Sequence, residues 1–284
     1  MSKTLITSRD SKGLHAVGLF EVAYNKAKLD DRKAQQLNEK GGEFQEGIMV
    51  LIRELTSPEQ YADEEVASEY GYPKGFQIRS VAEQVKTLLK HFPNFDASHV
   101  QELASGNLPE GAEGWAVIPK PDKVGKNYHE ALGILIDLIA KDRKFKNWRE
   151  LELTKKHLRL ANKTAESHAK LNEQPGDFWV VPFQFGIWHR GKSVRRARVC
   201  FTDNEFGLGA YEVAVLLLTH PDRIQPNHLN IDCAGVEYAP SADGDFFACL
   251  SFGWGYSFRR LGLDYGRAGY AYSEWGSASA FLPQ

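Results

Sequence analysis

Apolar residues recur at helical spacing through most of the first half of the chain. Such a period of about 3.6 residues is typical of helices that bury one face. Ser80 followed by Glu83 has the spacing of a capping box, which predicts that a helix begins there. In the last of these segments Leu151, Leu158 and Ala165 share one helical face. The pattern predicts helices within residues 19–42, 44–57, 80–92, 128–143 and 150–171.

The pattern changes near residues 171–177. Most of the aromatic residues and about half of the glycines follow this point, and aromatics interleaved with glycine favour short strands and tight turns. The sequence therefore predicts an α+β protein, with a mainly helical region at 1–174 and a β-rich, mostly antiparallel or mixed region at 175–284. One continuous domain is the alternative. Within the second region strands are predicted near 177–185, 228–238, 245–258 and 268–275, and helices near 194–201 and 209–221.

Composition and charge narrow the function classes only slightly. A formal net charge of −2 gives no overall attraction to nucleic acid or to a membrane, so any polyanion must bind to a local cluster. The apolar runs are about ten residues long, whereas a membrane span needs about twenty. The polar first residues do not resemble a secretory signal, and three cysteines without metal-type spacing do not predict a disulfide framework. We therefore expect a cytoplasmic protein.

Residues 186–193 read GIWHRGKS, which matches the phosphate-binding loop pattern G-x-x-x-x-G-K-[ST]. In such a loop the backbone amides surround phosphate oxygens, the lysine binds the outer phosphates and the hydroxyl holds Mg²⁺. Only about ninety residues follow, which is too few for the further βα units of a parallel sheet. Nucleotide binding at 186–193 is thus an alternative hypothesis, and nucleotide hydrolysis is disfavoured.

The segment 189–198 is unusually basic for this chain. Val194 and Ala197 begin an apolar stripe, so a helix packed on that stripe is predicted to turn its arginines outward. Because arginine matches phosphate geometry, the leading hypothesis is a protein that binds phosphate, nucleotide or nucleic acid there. The alternative is a solvated face that is paired with acids. The candidate phosphate-binding residues are His189, Arg190, Lys192, Ser193, Arg195, Arg196 and Arg198.

Four carboxylates within residues 232–245 form a second candidate site. Oxygen-rich clusters can hold Mg²⁺, and a metal beside arginines would allow a phosphoester hydrolase. Turn chemistry is the competing interpretation of this segment. The hydrolase requires the carboxylates to converge within ligand reach of one ion. They are Asp232, Glu237, Asp243 and Asp245.

Two further hypotheses concern the C-terminal aromatics. Around Trp254 they are expected either to pack in a strand or to stack nucleobases beside Arg259 and Arg260. Alternatively the aromatic sheet is an interface of an assembly protein, which makes a homo-oligomer an open expectation. Solution mass at several concentrations tests this alternative.

Five segments resemble proteins without an assigned activity in the genomes of ultra-small candidate-phyla bacteria. The resemblance implies an intracellular bacterial protein, with a link to mobile elements as one option, and implies no catalytic residue. The segments are residues 112–119, 189–198, 204–224, 231–246 and 276–284.

Overall fold

The computed structural model describes residues 7–56, 58–242, 244–255, 257 and 259–283, without the side chains of Arg53 and Glu54. Its secondary structure is that of an α+β protein, as predicted. Helices come first along the chain and strands dominate its second half. In the described part the helices are α1 Ser11–Lys26, α2 Asp31–Glu39, α3 Gly41–Thr56, α4 Val81–His91, α5 Val100–Leu103, α6 Pro121–Val124, α7 Tyr128–Asp142, α8 Asn162–Leu171, α9 Val194–Cys200 and α10 Ala210–Thr219.

The strands form two sheets. The smaller sheet has the order β1-β4-β11-β5, and the larger one contains seven strands around β8. The described strands are β1 Gly114–Pro119, β2 Phe145–Asn147, β3 Leu158–Leu160, β4 Phe178–Gln184, β5 Glu205–Gly207, β6 Asn230–Asp232, β7 Val236–Tyr238, β8 Ala248–Gly255, β9 Arg260–Arg267, β10 Trp275–Ser277 and β11 Ser279–Phe281.

The chain divides into two compact units, one before Pro58 and one from Pro58 onward. The first unit contains α1, α2 and α3, and neither α1 nor α2 has a buried residue. Asp30 caps α2 by accepting a hydrogen bond from the amide of Lys33 at 2.8 Å. The predicted boundary between the helices of 19–42 and 44–57 is misplaced, because α3 already begins at Gly41.

The smaller sheet and α10 build the core of the second unit. Every residue of β4 is buried, and β4 pairs antiparallel with both β1 and β11. All ten residues of α10 are buried as well. A strand and a helix that are covered on all sides require the near-continuous apolar runs that their sequences show.

The larger sheet is mixed. Strand β8 pairs antiparallel with β6, β7 and β9, while β10 pairs parallel with β6 and β2 pairs parallel with β9. Phe252, Leu261 and Leu263 are buried on one face of β8 and β9. The opposite face of the same strands carries Ser251, Gly253, Gly262 and Asp264, and also Cys249, which is buried in a small cluster with Val194 of α9 and Ala234.

The composition change near residue 174 does not separate two compact units. Strands from both sides of it pair with each other, as β1 does with β4 and β3 with β7. The helix predicted over 150–171 is confirmed only for α8. Leu158 is buried in β3, opposite Tyr238, whereas Leu151 is 89% exposed. Residues 158–160 thus form a strand of the larger sheet, although the pattern of their own segment favours a helix.

Other predicted elements agree with the structure. Ser80 accepts a hydrogen bond from the amide of Glu83 at 3.3 Å, and the Glu83 carboxylate accepts one from the amide of Ser80 at 2.9 Å. The helices at 128–143 and 209–221 and the strand at 177–185 are also present. Within the part of the chain that the structure describes, no helix combines the length and the apolar character needed to cross a membrane.

Candidate functional site

The loop at 186–193 has no open amides for a phosphate. Gly186 and Gly191 have φ values of +118° and +72°, which turn the chain tightly back on itself. Every amide of the loop donates inside the protein. The acceptors include the side-chain oxygens of Gln184 and Tyr72 and the carbonyls of Trp275 and Glu64.

The strand before this loop also differs from that of a nucleotide-binding fold. Strand β4 lies between two antiparallel neighbours, whereas that fold requires a parallel sheet. Helix α9 after the loop has only seven residues. Nucleotide binding at 186–193 stays a prediction, and the geometry gives it no support, because tertiary contacts already use the groups that would bind phosphate.

We expect Lys192→Ala to leave nucleotide binding unchanged. The Lys192 ammonium lies 3.5 Å from the Glu65 carboxylate, so its charge has a partner within the protein. Titration of ATP with Mg²⁺ into both proteins, followed by calorimetry, checks this expectation. Loss of a measurable ATP affinity in the variant alone would contradict it.

Two glutamates neutralise the start of α9. Glu64 accepts hydrogen bonds from the Ser193 hydroxyl at 2.6 Å and from Arg195 Nε at 2.7 and 2.8 Å. The bonds from Arg195 lower the pKa of Glu64. Glu65 pairs with Arg196 and Lys192. Arg196 is only 3% exposed and also donates to the Pro58 carbonyl, so its predicted outward orientation is wrong.

The remaining basic residues are held in different ways. His189 is buried, and its Nε2 lies 2.7 Å from Glu205 Oε1. Burial opposes the charge on Glu205, but hydrogen bonds from His189 and Ser279 outweigh burial and lower the pKa of Glu205. Arg190 is exposed and donates to the Tyr70 carbonyl at 3.2 Å. The apolar stripe itself is as predicted, since Val194 and Ala197 are buried.

Phosphate binding by the basic residues of 189–198 stays a prediction. Of these six, Arg190 is the one without a carboxylate neighbour in the described part of the chain. A polyanion would have to displace Glu64 or Glu65 to bind Lys192, Arg195 or Arg196, and the partners of His189 and Arg198 are Glu205 and Glu237. The geometry therefore favours the ion-paired alternative for this segment.

The predicted acidic residues do not converge. Asp232 lies in β6, Glu237 lies in β7, and Asp245 is exposed before β8. Asp243 lies outside the described residues. Across the residues that the structure describes, no three His, Cys, Asp or Glu side chains are grouped closely enough to hold a metal ion. The arrangement gives no support to an Mg²⁺-dependent phosphoester hydrolase.

One pair from the two predicted sites does meet. Arg198 Nη1 lies 3.6 Å from Glu237 Oε1 beside a cavity of about 310 Å³, which Arg159 and Lys163 also line. Arg159 Nε binds Glu237 at 2.7 Å, and Arg198 donates to the carbonyls of Ala234 and Val236. These cations already have partners, so the cavity is a paired surface rather than an open anion site.

A different surface combines positive charge with an open cleft. Ser257, Arg259 and Arg260 lie across a cleft of about 580 Å³ from the end of α7 and the start of β2. Among the described residues, four cationic side chains and no acidic side chain line this cleft. Its lining residues are Ala140, Arg143, Lys144, Phe145, Ser257, Arg259 and Arg260. We call it the cationic cleft.

The cationic side chains of the cleft differ in the interactions that they form with the rest of the protein. Arg143 donates to the carbonyls of Leu217 and Pro221, at 2.7 and 2.6 Å, near the end of α10. Burial lowers the pKa of Arg143 to about 10, so it remains charged at neutral pH. Lys144 and Arg259 are exposed, and neither forms an ion pair with a described residue. These two side chains are available to an incoming anion.

Only half of the cationic cleft is predicted from the sequence. Arg259 and Arg260 are predicted beside aromatics, whereas Arg143 is predicted only as the end of a helix and Lys144 has no predicted role. The missed signal is the density of cations in residues 141–146, which read KDRKFK. No local pattern shows that β2 pairs with β9, and this pairing brings the two basic segments together.

Comparison of the chain with protein-family models, with curated proteins and with solved structures gave no match in any of the three.

Proposed function

We propose that this protein binds a phosphate-bearing polyanion through the cationic cleft. The observation that carries this proposal is that, within the part of the chain that the structure describes, four cationic side chains and no acidic one line a cleft of about 580 Å³. Like charges held close together repel one another, and an anion between them removes that cost. Guanidinium groups also match the geometry of phosphate oxygens.

The nearby acids lie outside the cleft lining. Asp142 is the last residue of α7, its carboxylate lies 3.8 Å from His91 on α4, and the charges of Asp142 and Asp222 favour the charged form of Arg143. Glu150 lies 3.7 Å from Lys146, which is outside the cleft lining. The cleft therefore keeps a positive potential in a chain whose net charge is −2.

A polymer fits this surface better than a small metabolite does. Lys144 and Arg259 are exposed and the cleft opens to solvent, so a small anion would remain largely hydrated there. A chain of phosphates engages several cations at once and releases its condensed counterions, which supplies affinity without enclosure. The cationic cleft is thus proposed to bind the class of ligand that the sequence predicts for residues 189–198, a phosphate-bearing polyanion.

Charge reversal of the two exposed cations tests the proposal. We expect Lys144→Glu with Arg259→Glu to weaken binding of inorganic polyphosphate by about 30-fold at low salt, because two attractions become repulsions. The slope of log affinity against log salt should also become shallower by about two. Fluorescence anisotropy across a salt series measures both quantities.

Exposed lysines outside the cleft provide the control. Lys74→Glu with Lys170→Glu changes the net charge by the same amount, and neither residue lines the cleft. We expect this variant to bind within about threefold of the wild type. Equal losses in both double variants would show only nonspecific attraction, and affinity that does not vary with salt would remove the proposal.

We further propose that the protein acts in a reducing bacterial cytoplasm. The support is the sequence resemblance to proteins of candidate-phyla bacteria, together with three cysteines that are all free thiols. Cys233 and Cys249 are buried, and burial raises the pKa of both thiols, which leaves them unreactive.

A further inference from the structure

The helices α1, α2 and α3 enclose no core in the part of the chain that the structure describes. We call residues 7–56, which form these three helices, the helical unit. None of its described residues is buried. Eighteen large apolar side chains are exposed among all the described residues, and eleven of them belong to this unit. About fifty residues are marginally stable even around a well-packed core, so the helical unit requires a partner that covers its apolar surface.

Helix α3 is apolar around its whole circumference over one stretch. Residues 48–52 read IMVLI, and all five are at least partly exposed. Successive residues of a helix point about 100° apart, so five of them face every direction. One turn farther along, Leu55 is 78% exposed. A helix that is apolar on every side is normally enclosed by other elements, whereas a single flat surface would leave one side of it in water.

The helical unit also offers a place where such a helix fits. The rings of Phe20 on α1 and Phe44 on α3 lie 6.0 Å apart. Beside them is an open cavity of about 720 Å³ among the three helices, which Tyr24 and Leu37 also line. The unit thus presents both an apolar helix that needs enclosure and an apolar cavity that is open to solvent.

The exposed apolar area of the helical unit matches what a dimer needs. The eleven side chains together expose roughly 1,000 Å², and each partner in a stable protein interface buries about 800 Å². One copy of the unit therefore carries enough apolar surface to cover another copy.

The charge of the helical unit favours a second copy over a membrane as the partner. Residues 7–56 contain eight acidic and eight basic residues, so two copies do not repel each other. Helices that lie on a membrane surface carry Lys and Arg on their polar face, whereas α1 has Glu21 between Phe20 and Val22. Helix α3 has sixteen residues, and a membrane span needs about twenty.

We propose that two copies of this chain associate through their helical units, with residues 48–55 of each α3 inserted into the cavity of the other copy. The insertion is reciprocal, so a twofold axis relates the copies and the contact closes without further growth. Every side of α3 is then covered. The residues that line the cationic cleft lie outside the helical unit and take no part in this contact.

Solution mass over a range of concentrations is the first measurement. Sedimentation equilibrium from about 1 to about 100 µM should show a species with twice the mass of the 284-residue chain, in a proportion that rises with concentration.

Substitutions in α3 locate the interface. Leu51→Glu with Leu55→Glu places two charges one turn apart on one face of α3, and we expect it to weaken the association at least about 100-fold. Leu51→Met with Leu55→Met keeps the face apolar and should associate like the wild type. Leu108→Glu with Leu151→Glu is the matched control, because both leucines are exposed and lie outside the helical unit. This control should also associate like the wild type.

Cross-linking of the wild-type protein tests the contact without any substitution. Equal amounts of ¹⁴N-labelled and ¹⁵N-labelled protein are mixed and treated with an amine-reactive linker. We expect peptides that join a light copy to a heavy copy among Lys12, Lys26 and Lys33, which are exposed in the helical unit.

Several results would overturn the proposal. A monomer at every concentration would mean that no second copy covers α3, and a monomer that floats with phosphatidylcholine vesicles would identify a membrane as the partner. A dimer that survives Leu51→Glu with Leu55→Glu would place the interface elsewhere. Loss of the dimer in the Leu108 and Leu151 control, or with Tyr270→Glu and Tyr272→Glu at two exposed tyrosines of the second unit, would do the same.

Discussion

We expect Asp232→Asn to raise the free energy of unfolding by about 4 kcal/mol at pH 8 and to change it little at pH 4. Burial raises the pKa of Asp232 to about 7. Its cross-strand neighbours are Ser251 and Ser277, and no described group donates a hydrogen bond to its carboxyl. The ionised form is therefore poorly stabilised in the folded protein.

The direction of the pH dependence follows from the raised pKa. An unfolded aspartate ionises near pH 4, so the stabilising contribution of the neutral folded form is complete below that pH. It is lost as pH rises from about 4 to about 7, by about 1.4 kcal/mol per pH unit. The asparagine variant should lack this loss. Urea unfolding of both proteins between pH 4 and pH 8 measures the difference.

The exposed Asp245 provides the control for this experiment. Asp245→Asn removes a carboxylate that is already solvated, so we expect its unfolding free energy to follow that of the wild type at every pH. A constant difference between Asp232→Asn and the wild type across the pH range would contradict the assignment, since a packing effect does not titrate.

We expect Arg223→Met to lower the free energy of unfolding by about 3 to 5 kcal/mol. Arg223 is fully buried and lies 4.0 Å from the ring centre of Tyr72 and 5.2 Å from that of Phe185. It donates to the carbonyls of Leu229 and Phe185 at 2.7 and 3.1 Å. Methionine fills similar space but leaves both carbonyls without these donors.

The loss of the Arg223 charge also affects the buried carboxyl group of Glu113. Burial raises the pKa of Glu113, and the nearby Arg223 charge partly offsets that effect. Removing the Arg223 charge destabilises the ionised Glu113 carboxylate and so lowers the free energy of unfolding further at neutral pH. Urea denaturation followed by far-ultraviolet circular dichroism measures the total change.

Arg267→Met separates burial from ring contact. Arg267 also lies over two rings, 5.5 Å from Phe247 and 5.6 Å from Tyr270, but it is exposed. We expect this variant to lose less than about 1 kcal/mol. Similar losses in the two variants would mean that the ring contacts, rather than the buried hydrogen bonds, stabilise the fold.

Local signals in the sequence predicted the elements whose own pattern is decisive. The capping box at Ser80 and the apolar run of α10 needed no distant partner to be recognised. The helix predicted over 150–171 is only partly confirmed, because the buried pairing of β3 with β7 outweighs the helical pattern in the first part of the segment. Nucleotide binding at 186–193 gains no support for a related reason. The eight residues by themselves do not show that oxygens of Gln184, Glu64 and Trp275 accept hydrogen bonds from the amides of the loop.

The sequence by itself determined the fold class, the helical first part and the positions of β4, β6, β7 and β8, because hydrophobic period and turn residues act over a few residues. The tertiary structure alone decided which charges remain open to solvent. Glu64 and Glu65 lie more than a hundred residues before the arginines that they neutralise. Lys144 and Arg259 are equally distant in sequence, and they share a cleft because β2 pairs with β9. Electrostatic interactions depend on separation in space, and only the folded chain fixes that separation.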